Sequence, residues 1–224
     1  MTESRKKREF NLRELDILTT ATALFTEQGL DNVTVADIAN VADIGKGTIY
    51  KHFVSKDVIL ARLGNDFSER VLLTLAKKSK GKTSEEQMRN MLEICFEAYV
   101  EQPLMAEICQ VYQHPSFMTR LPDSYQQKCL DLEKKYFEIF NGIIELGISN
   151  KELPNLPFDE LILGSYATYT GALVMLQNQS RRCFSDAPQF SQTRFIEIII
   201  NHTMAGLFGR RFDTSSSEIG EVNE

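Results

Sequence analysis

The chain has 224 residues, 42% of them hydrophobic, and a formal net charge of −6, which is enough apolar content for a substantial core in one or two domains. Three scattered histidines and four cysteines with no Cys-x-x-Cys pair exclude a zinc framework. No apolar run reaches the ~18 residues of a membrane span or follows the charged start as a secretion signal would, so the expected location is cytoplasmic.

The elements follow in order. Met1 to Glu9 is polar and holds Arg5-Lys6-Lys7-Arg8, which reads either as a solvated, disordered tail or as an arm along DNA. Asn11 to Gln28 predicts a first helix, with Leu15, Leu18 and Phe25 at helical spacing and Gly29 at its C′ position. Thr34 caps a second, short helix with Asp37 as capping-box partner, and Ile38 and Val41 recur on one face. Asp43-Ile44-Gly45 breaks the pattern. A third short helix runs from Lys46 to His52, with Ile49 and Phe53 one turn apart and facing inward.

The fourth helix starts at Ser55 and runs to Lys78, burying Val58, Ile59, Leu63, Phe67, Val71 and Leu75; the basic stretch 77–82 reads as a solvated hinge. From Thr83 to Arg211 the pattern is helical throughout. Helices are expected from Ser84, over Leu104–Tyr112, Asp123–Leu146, Phe158–Asn178 and Phe190–Gly209, with a loop carrying Phe117 and Met118. Asp213 to Glu224 is acidic and Ser-rich and reads as a disordered tail. The fold class is all-α, with about nine helices. It divides into an N-terminal arm and helix-turn-helix domain (1–54), a connecting helix and hinge (55–82), a larger helical domain (83–211) and the tail (212–224).

The third helix has the most informative face. Opposite Ile49 lie Gly47 and Lys51, flanked by Lys46, Thr48, Tyr50 and His52, with no carboxylate. Such a face suits a polyanion, and a helix of this kind fits the DNA major groove. The first 60 residues hold eight cations against nine carboxylates, so the DNA-binding case rests on placement and not on net charge. Thr34 and Lys56 are added as phosphate contacts. Tyr50 reads either as a core aromatic or as a DNA contact, and His52 as a surface histidine or a DNA contact.

Thr34-x-x-x-Ile38-Ala39, then Gly45-Lys46-Gly47-Thr48-Ile49-Tyr50-Lys51-His52-Phe53, then Ser55-Lys56-Asp57 resembles the DNA-binding domain of the TetR family of bacterial transcription regulators. The likeness runs from about Leu15 to Leu63. It departs at Gly45, where the family usually carries Ser or Thr; Gly can still occupy an N-cap but offers no hydroxyl. The resemblance implies a small-molecule pocket in the helical domain and dimerisation through the last two long helices.

Two further residue sets fit those expectations. Cys95, Tyr99, Met105, Cys109, Tyr112, Phe117, Tyr136, Phe140, Tyr166 and Tyr169 suit an apolar pocket with phenolic hydroxyls, though singly each reads as ordinary core. Gly164, Thr168, Gly171 and Ala172, with Ala205 and Gly209, carry small residues at helical spacing, as close packing within one chain or as a seam between two. The four cysteines (Cys95, Cys109, Cys129 and Cys183) read as buried small hydrophobes, with a redox role as the alternative.

The function expected is a homodimeric regulator that binds a palindromic double-stranded operator and is released as a repressor by an apolar effector. Control by a protein partner or by thiol oxidation is the alternative. No catalytic or metal constellation, cofactor motif or membrane contact is expected; Lys46-Gly47-Thr48 lacks the rest of a phosphate-binding loop.

Overall fold

In the computed structural model, which describes residues 2–112, 114–177 and 191–209, the chain is all-α, with ten helices and no strand among the described residues. In order they are α1 (Thr2–Gln28), α2 (Val35–Val41), α3 (Lys46–His52), α4 (Lys56–Lys78), α5 (Ser84–Glu101), α6 (Pro103–Tyr112), α7 (Pro115–Met118), α8 (Asp123–Ser149), α9 (Phe158–Gln177) and α10 (Gln192–Phe208). Cys183 and the acidic stretch 212–224 lie outside the described residues, as does the side chain of Tyr112. No described helix is long and apolar enough to cross a membrane.

Two elements differ from the sequence expectation. The first helix begins at Thr2 and not at Asn11. Residues 2–28 contain neither Gly nor Pro, and the basic run consists of good helix formers, with Arg5 and Glu9 paired at one-turn spacing (2.9 Å). The stretch expected as a loop at Phe117 and Met118 is the short helix α7. His114 caps it by accepting from the Ser116 N–H, and Pro115, at its first position, has no N–H to leave unsatisfied. Phe117 is 1% exposed, so this turn is anchored in the core.

The chain divides into two compact units over its described residues: Met1–Lys77 with Glu97–Phe137, and Lys78–Phe96 with Glu138–Glu224. In the first, α1, α2, α3 and α4 close around Ile17, Phe25, Ile38, Ile49, Phe53 and Ile59, all at most 1% exposed. Burying these six large side chains, each contributing about 1.5–3 kcal/mol, holds the short helices α2 and α3, which are too short to be stable alone. The periodic stripe of α4 is buried as its spacing predicts. On α1 and α2 the pattern misleads: Leu15 is 54% and Val41 63% exposed, and the inward positions of α1 are Ile17, Leu18, Ala21, Leu24 and Phe25.

In the second unit, Gly147, Ser84 and Glu152 form a joint that no sequence motif announces. Glu152 Oε2 accepts from both the backbone N–H (2.7 Å) and the hydroxyl (2.5 Å) of Ser84, the first residue of α5. A Cβ on Gly147 would stand 2.6 Å from Ser84 Oγ and 2.7 Å from Leu153 Cδ1. The hydrogen bond from Ser84 holds the Glu152 carboxyl below its usual value of 4.5. A lowered folded-state pKa means stability present above the unfolded value and lost as pH falls through the folded one. Glu152→Gln is therefore expected to lower the melting temperature at neutral pH, with the gap to the unaltered protein closing below about pH 4.5. A gap independent of pH would assign the effect to packing.

Candidate nucleic-acid interface

The interface is built from α2 and α3. Thr34 closes a capping box: its hydroxyl accepts from the Asp37 N–H (3.3 Å) and donates to Asp37 Oδ2 (2.6 Å), while its own N–H donates to the same oxygen (2.8 Å). The side-chain hydrogen bond from Thr34 lowers the Asp37 pKa. The turn that follows places Asp43 in the left-handed region (φ 52°), a conformation Asp tolerates better than most residues. The Ile44 N–H reaches back to the Ala39 carbonyl (3.0 Å), and Gly45 begins α3 in extended conformation without a side-chain cap.

Ile49 and Phe53 are both 0% exposed, and the Phe53 N–H closes the helix on the Ile49 carbonyl (2.8 Å). With that face fixed inward, Lys46, Gly47, Tyr50 and Lys51 are exposed and Thr48 is half-buried. Tyr50, 51% exposed, is not a core aromatic. A Cβ at Gly45 or Gly47 would meet nothing within 4 Å, so packing inside the chain does not require glycine at either position. Room is left there for an approaching surface. The exposed face of α3 carries donors, an aromatic ring and two cations, and no carboxylate.

Three expected contacts are placed differently. The His52 side chain is 6% exposed and turned inward, its Nδ1 standing 3.8 Å from Glu14 Oε1 with no hydrogen-bond partner. Its ring lies under Phe10 (centroids 4.0 Å apart). The Lys56 ammonium donates to the carbonyls of Leu30 (2.8 Å) and Val33 (3.1 Å) and so ties α4 to the segment between α1 and α2. The Thr34 hydroxyl is engaged by Asp37. Sequence reasoning also missed Phe10, Glu14 and Arg62. Arg62 bridges Glu14 Oε2 (3.3 Å) and Asp66 Oδ1 (3.0 Å), joining α1 to α4. The Arg62–Glu14 bridge joins side chains 48 residues apart and leaves no local pattern.

The soft and aromatic set is divided between the units. In the first, Tyr99, Cys109 and Tyr136 meet around two residues of α4. The Cys109 thiol is hydrogen-bonded with Tyr99 and Ser68, the Tyr136 hydroxyl donates to the Ser68 carbonyl (3.1 Å), and the Cys129 thiol donates to Asn65 Oδ1 (3.3 Å). Asn65, only 4% exposed, is a buried polar residue that the apolar stripe of α4 concealed. Met105 and Phe117 are buried in the same unit. In the second unit Cys95 is buried, Phe96 packs edge-on against Tyr169 (5.1 Å), and Phe140 packs against Phe158 (6.1 Å). Tyr166 is 54% exposed and does not join this cluster. Burial pushes the Cys95 thiol up to about 12 and the Cys109 thiol up to about 11, so both stay protonated at neutral pH.

Of the small residues, Gly164, Gly171, Ala205 and Gly209 are exposed and Thr168 half-buried, its hydroxyl bonded to the Gly164 carbonyl (2.8 Å). Ala172 is 2% exposed and faces the chain's own interior, where no second chain can reach it. Leu163 (63%), Val174 (42%) and Met175 (41%) extend the exposed face of α9.

A capped helix, a tight turn and a second short helix with a bare polar face define a helix-turn-helix protein. Residues 17–63 match the family described as "Bacterial regulatory proteins, tetR family". Residues 17–63 thus form a domain of the kind found in that family. The repressor KstR2 of Mycobacterium tuberculosis is 41% identical over 59 residues, 26% of this chain and 30% of its own length, so the chain spans under a third of that relative. The probable regulator YttP of Bacillus subtilis is 25% identical over 148 residues, 66% of this chain and 70% of its own. The fold is shared with the transcriptional regulator FadR of Bacillus subtilis, solved with stearoyl-CoA (TM-score 0.66, 18% identity, 86% of this chain and 98% of that one).

Proposed function

We propose that the chain is a homodimeric, sequence-specific DNA-binding transcription regulator, a repressor that an apolar small molecule releases from a palindromic operator. The observation that carries this reading is the exposed, carboxylate-free face of α3, held by Ile49 and Phe53 within a TetR-family domain. Lys51 and Lys46 supply charge-assisted donors, and Thr48 and Tyr50 neutral ones, to base edges and phosphates. Gly45 and Gly47 let the backbone come close. This is a binding protein and not an enzyme, as are the regulators it resembles.

The rest of the reading is supported by placement. The exposed stripe of Leu163, Gly164, Gly171 and Val174 on α9 offers a second copy a flat surface that two helices can approach closely. The repressor role follows KstR2, and an effector carrying a long apolar chain follows FadR, solved with stearoyl-CoA. In the first unit, Tyr99, Cys109 and Tyr136 around Asn65 and Ser68 give such a ligand a polar handle within an apolar layer. The effector releases DNA by favouring a dimer whose two readers no longer match the groove, which takes about 5.5 kcal/mol of differential affinity to turn a 1:99 ratio into 99:1. At Cys95 and Cys109 the raised thiol pKa values disfavour oxidation as the signal, because the thiolate is the reactive form.

Lys51→Ala tests the reader directly. It is expected to cost about 1–3 kcal/mol of binding to the preferred sequence and to relax discrimination at one or two base pairs. Fluorescence anisotropy with matched and mismatched duplexes reads both effects. Uniform weakening on every sequence would reduce Lys51 to a phosphate contact.

A further inference from the structure

The contact between Phe10 and His52 fixes the N-terminal half of α1 to the last residue of α3. The ring planes meet at 31° with centroids 4.0 Å apart. Phe10 stays 45% exposed, so the contact is an anchor at the surface and not part of the core. Just before it stand Arg5, Lys6, Lys7 and Arg8, all exposed and helical. At 100° per residue, Lys6 and Lys7, four and three residues before Phe10, share its side of α1. The anchor thus holds two ammonium groups about one turn, roughly 5 Å along the axis, beyond the point where α1 meets the end of α3. Tyr50 and Lys51 are exposed at that same end of α3.

Consecutive like charges on one helical turn repel each other, so this arrangement is a cost unless a polyanion relieves it. Over residues 3–9 the four cations face two carboxylates, Glu3 and Glu9. The Arg5–Glu9 pair (2.9 Å) has side chains 82% and 59% exposed, so a phosphate displaces it readily. Lysine is a point charge on a flexible stem, suited to tracking a phosphate backbone and not to reading base edges.

We propose that this basic turn of α1 is a second DNA contact, in which Lys6 and Lys7 bind backbone phosphates flanking the sequence that α3 reads. It rests on the reading of α3 as the reader and adds affinity without adding sequence choice. Arg5 and Arg8, on the other sides of the helix, contribute attraction at longer range.

The test uses the full chain on three duplexes: a long one with the sequence the protein enriches from a random pool, a short one trimmed to its half-sites, and a long random one. The Lys6→Ala/Lys7→Ala variant keeps good helix formers, so helicity by circular dichroism should not change. On both long duplexes it should bind roughly tenfold more weakly near physiological salt, with the salt slope shallower by about 0.9 for each phosphate that is no longer neutralised. Sequence preference should be retained, and on the trimmed duplex the two proteins should bind alike. Phe10→Ala keeps every charge but frees the turn, and should fall between the two. Equal affinities and slopes on the long duplexes overturn the proposal, as does a variant effect seen only with anionic lipid vesicles. If neither protein prefers any sequence, the reading of α3 fails. The basic turn is then still judged by the slope on the random duplex.

Discussion

Phe53→Ala is expected to destabilise the protein by about 3–5 kcal/mol, the range for removing a fully buried aromatic ring. Phe53 is 0% exposed and directly follows α3, so its ring anchors the end of that helix in the core. Within α3 only Ile49 and the side chain of His52 turn inward, and a seven-residue helix has no stability of its own to fall back on. DNA binding should therefore fail before global unfolding is complete. Phe53→Leu refills most of the volume and should recover most of the stability. Urea unfolding followed by helicity, together with anisotropy on labelled duplex, measures both. An alanine variant with an unchanged midpoint would place Phe53 outside the core.

Lys56→Met is expected to cost about 2 kcal/mol of stability, because hydrogen bonds to charged groups contribute about 1.5–3 kcal/mol and the methionine keeps the apolar stem. The ammonium satisfies the Leu30 and Val33 carbonyls, which sit between helices and have no helical partners there. The same variant separates this role from a phosphate contact. An internal tie predicts a lower melting temperature with an unchanged salt slope of DNA binding. A phosphate contact predicts an unchanged melting temperature with a slope shallower by about 0.9.

The helix-turn-helix was legible because its determinants are local. Thr34 with Asp37, the break at Asp43 to Gly45, and the pair Ile49 and Phe53 all lie within one or two turns of each other, and the structure shows each in that role. The exposed face of α3 follows from that inward pair. What was not legible depends on distance in sequence. Lys56 is drawn away by carbonyls 26 and 23 residues back, and His52 packs under Phe10 on another helix. Nothing in either neighbourhood records those partners. Leu15 and Val41 show a related limit: helical period identifies an apolar face, but which residues reach the core depends on what packs against it. The start of α1 was misplaced because a basic run was weighed as a solvated tail, although its residues favour helix. The polar residue Asn65 lay within an apolar stripe whose period it did not disturb, so its partnership with Cys129 emerged only from packing.

Selection of bound sequences from a pool of randomised duplex DNA by the purified chain is the most direct test of DNA reading by α3. An enriched palindrome is expected, its half-site centres roughly 34–36 Å apart, one turn of the duplex, as two copies of α3 related by a two-fold axis require. No enrichment at low salt, where electrostatic binding is strongest, would contradict it and leave the exposed face of α3 without a sequence to read.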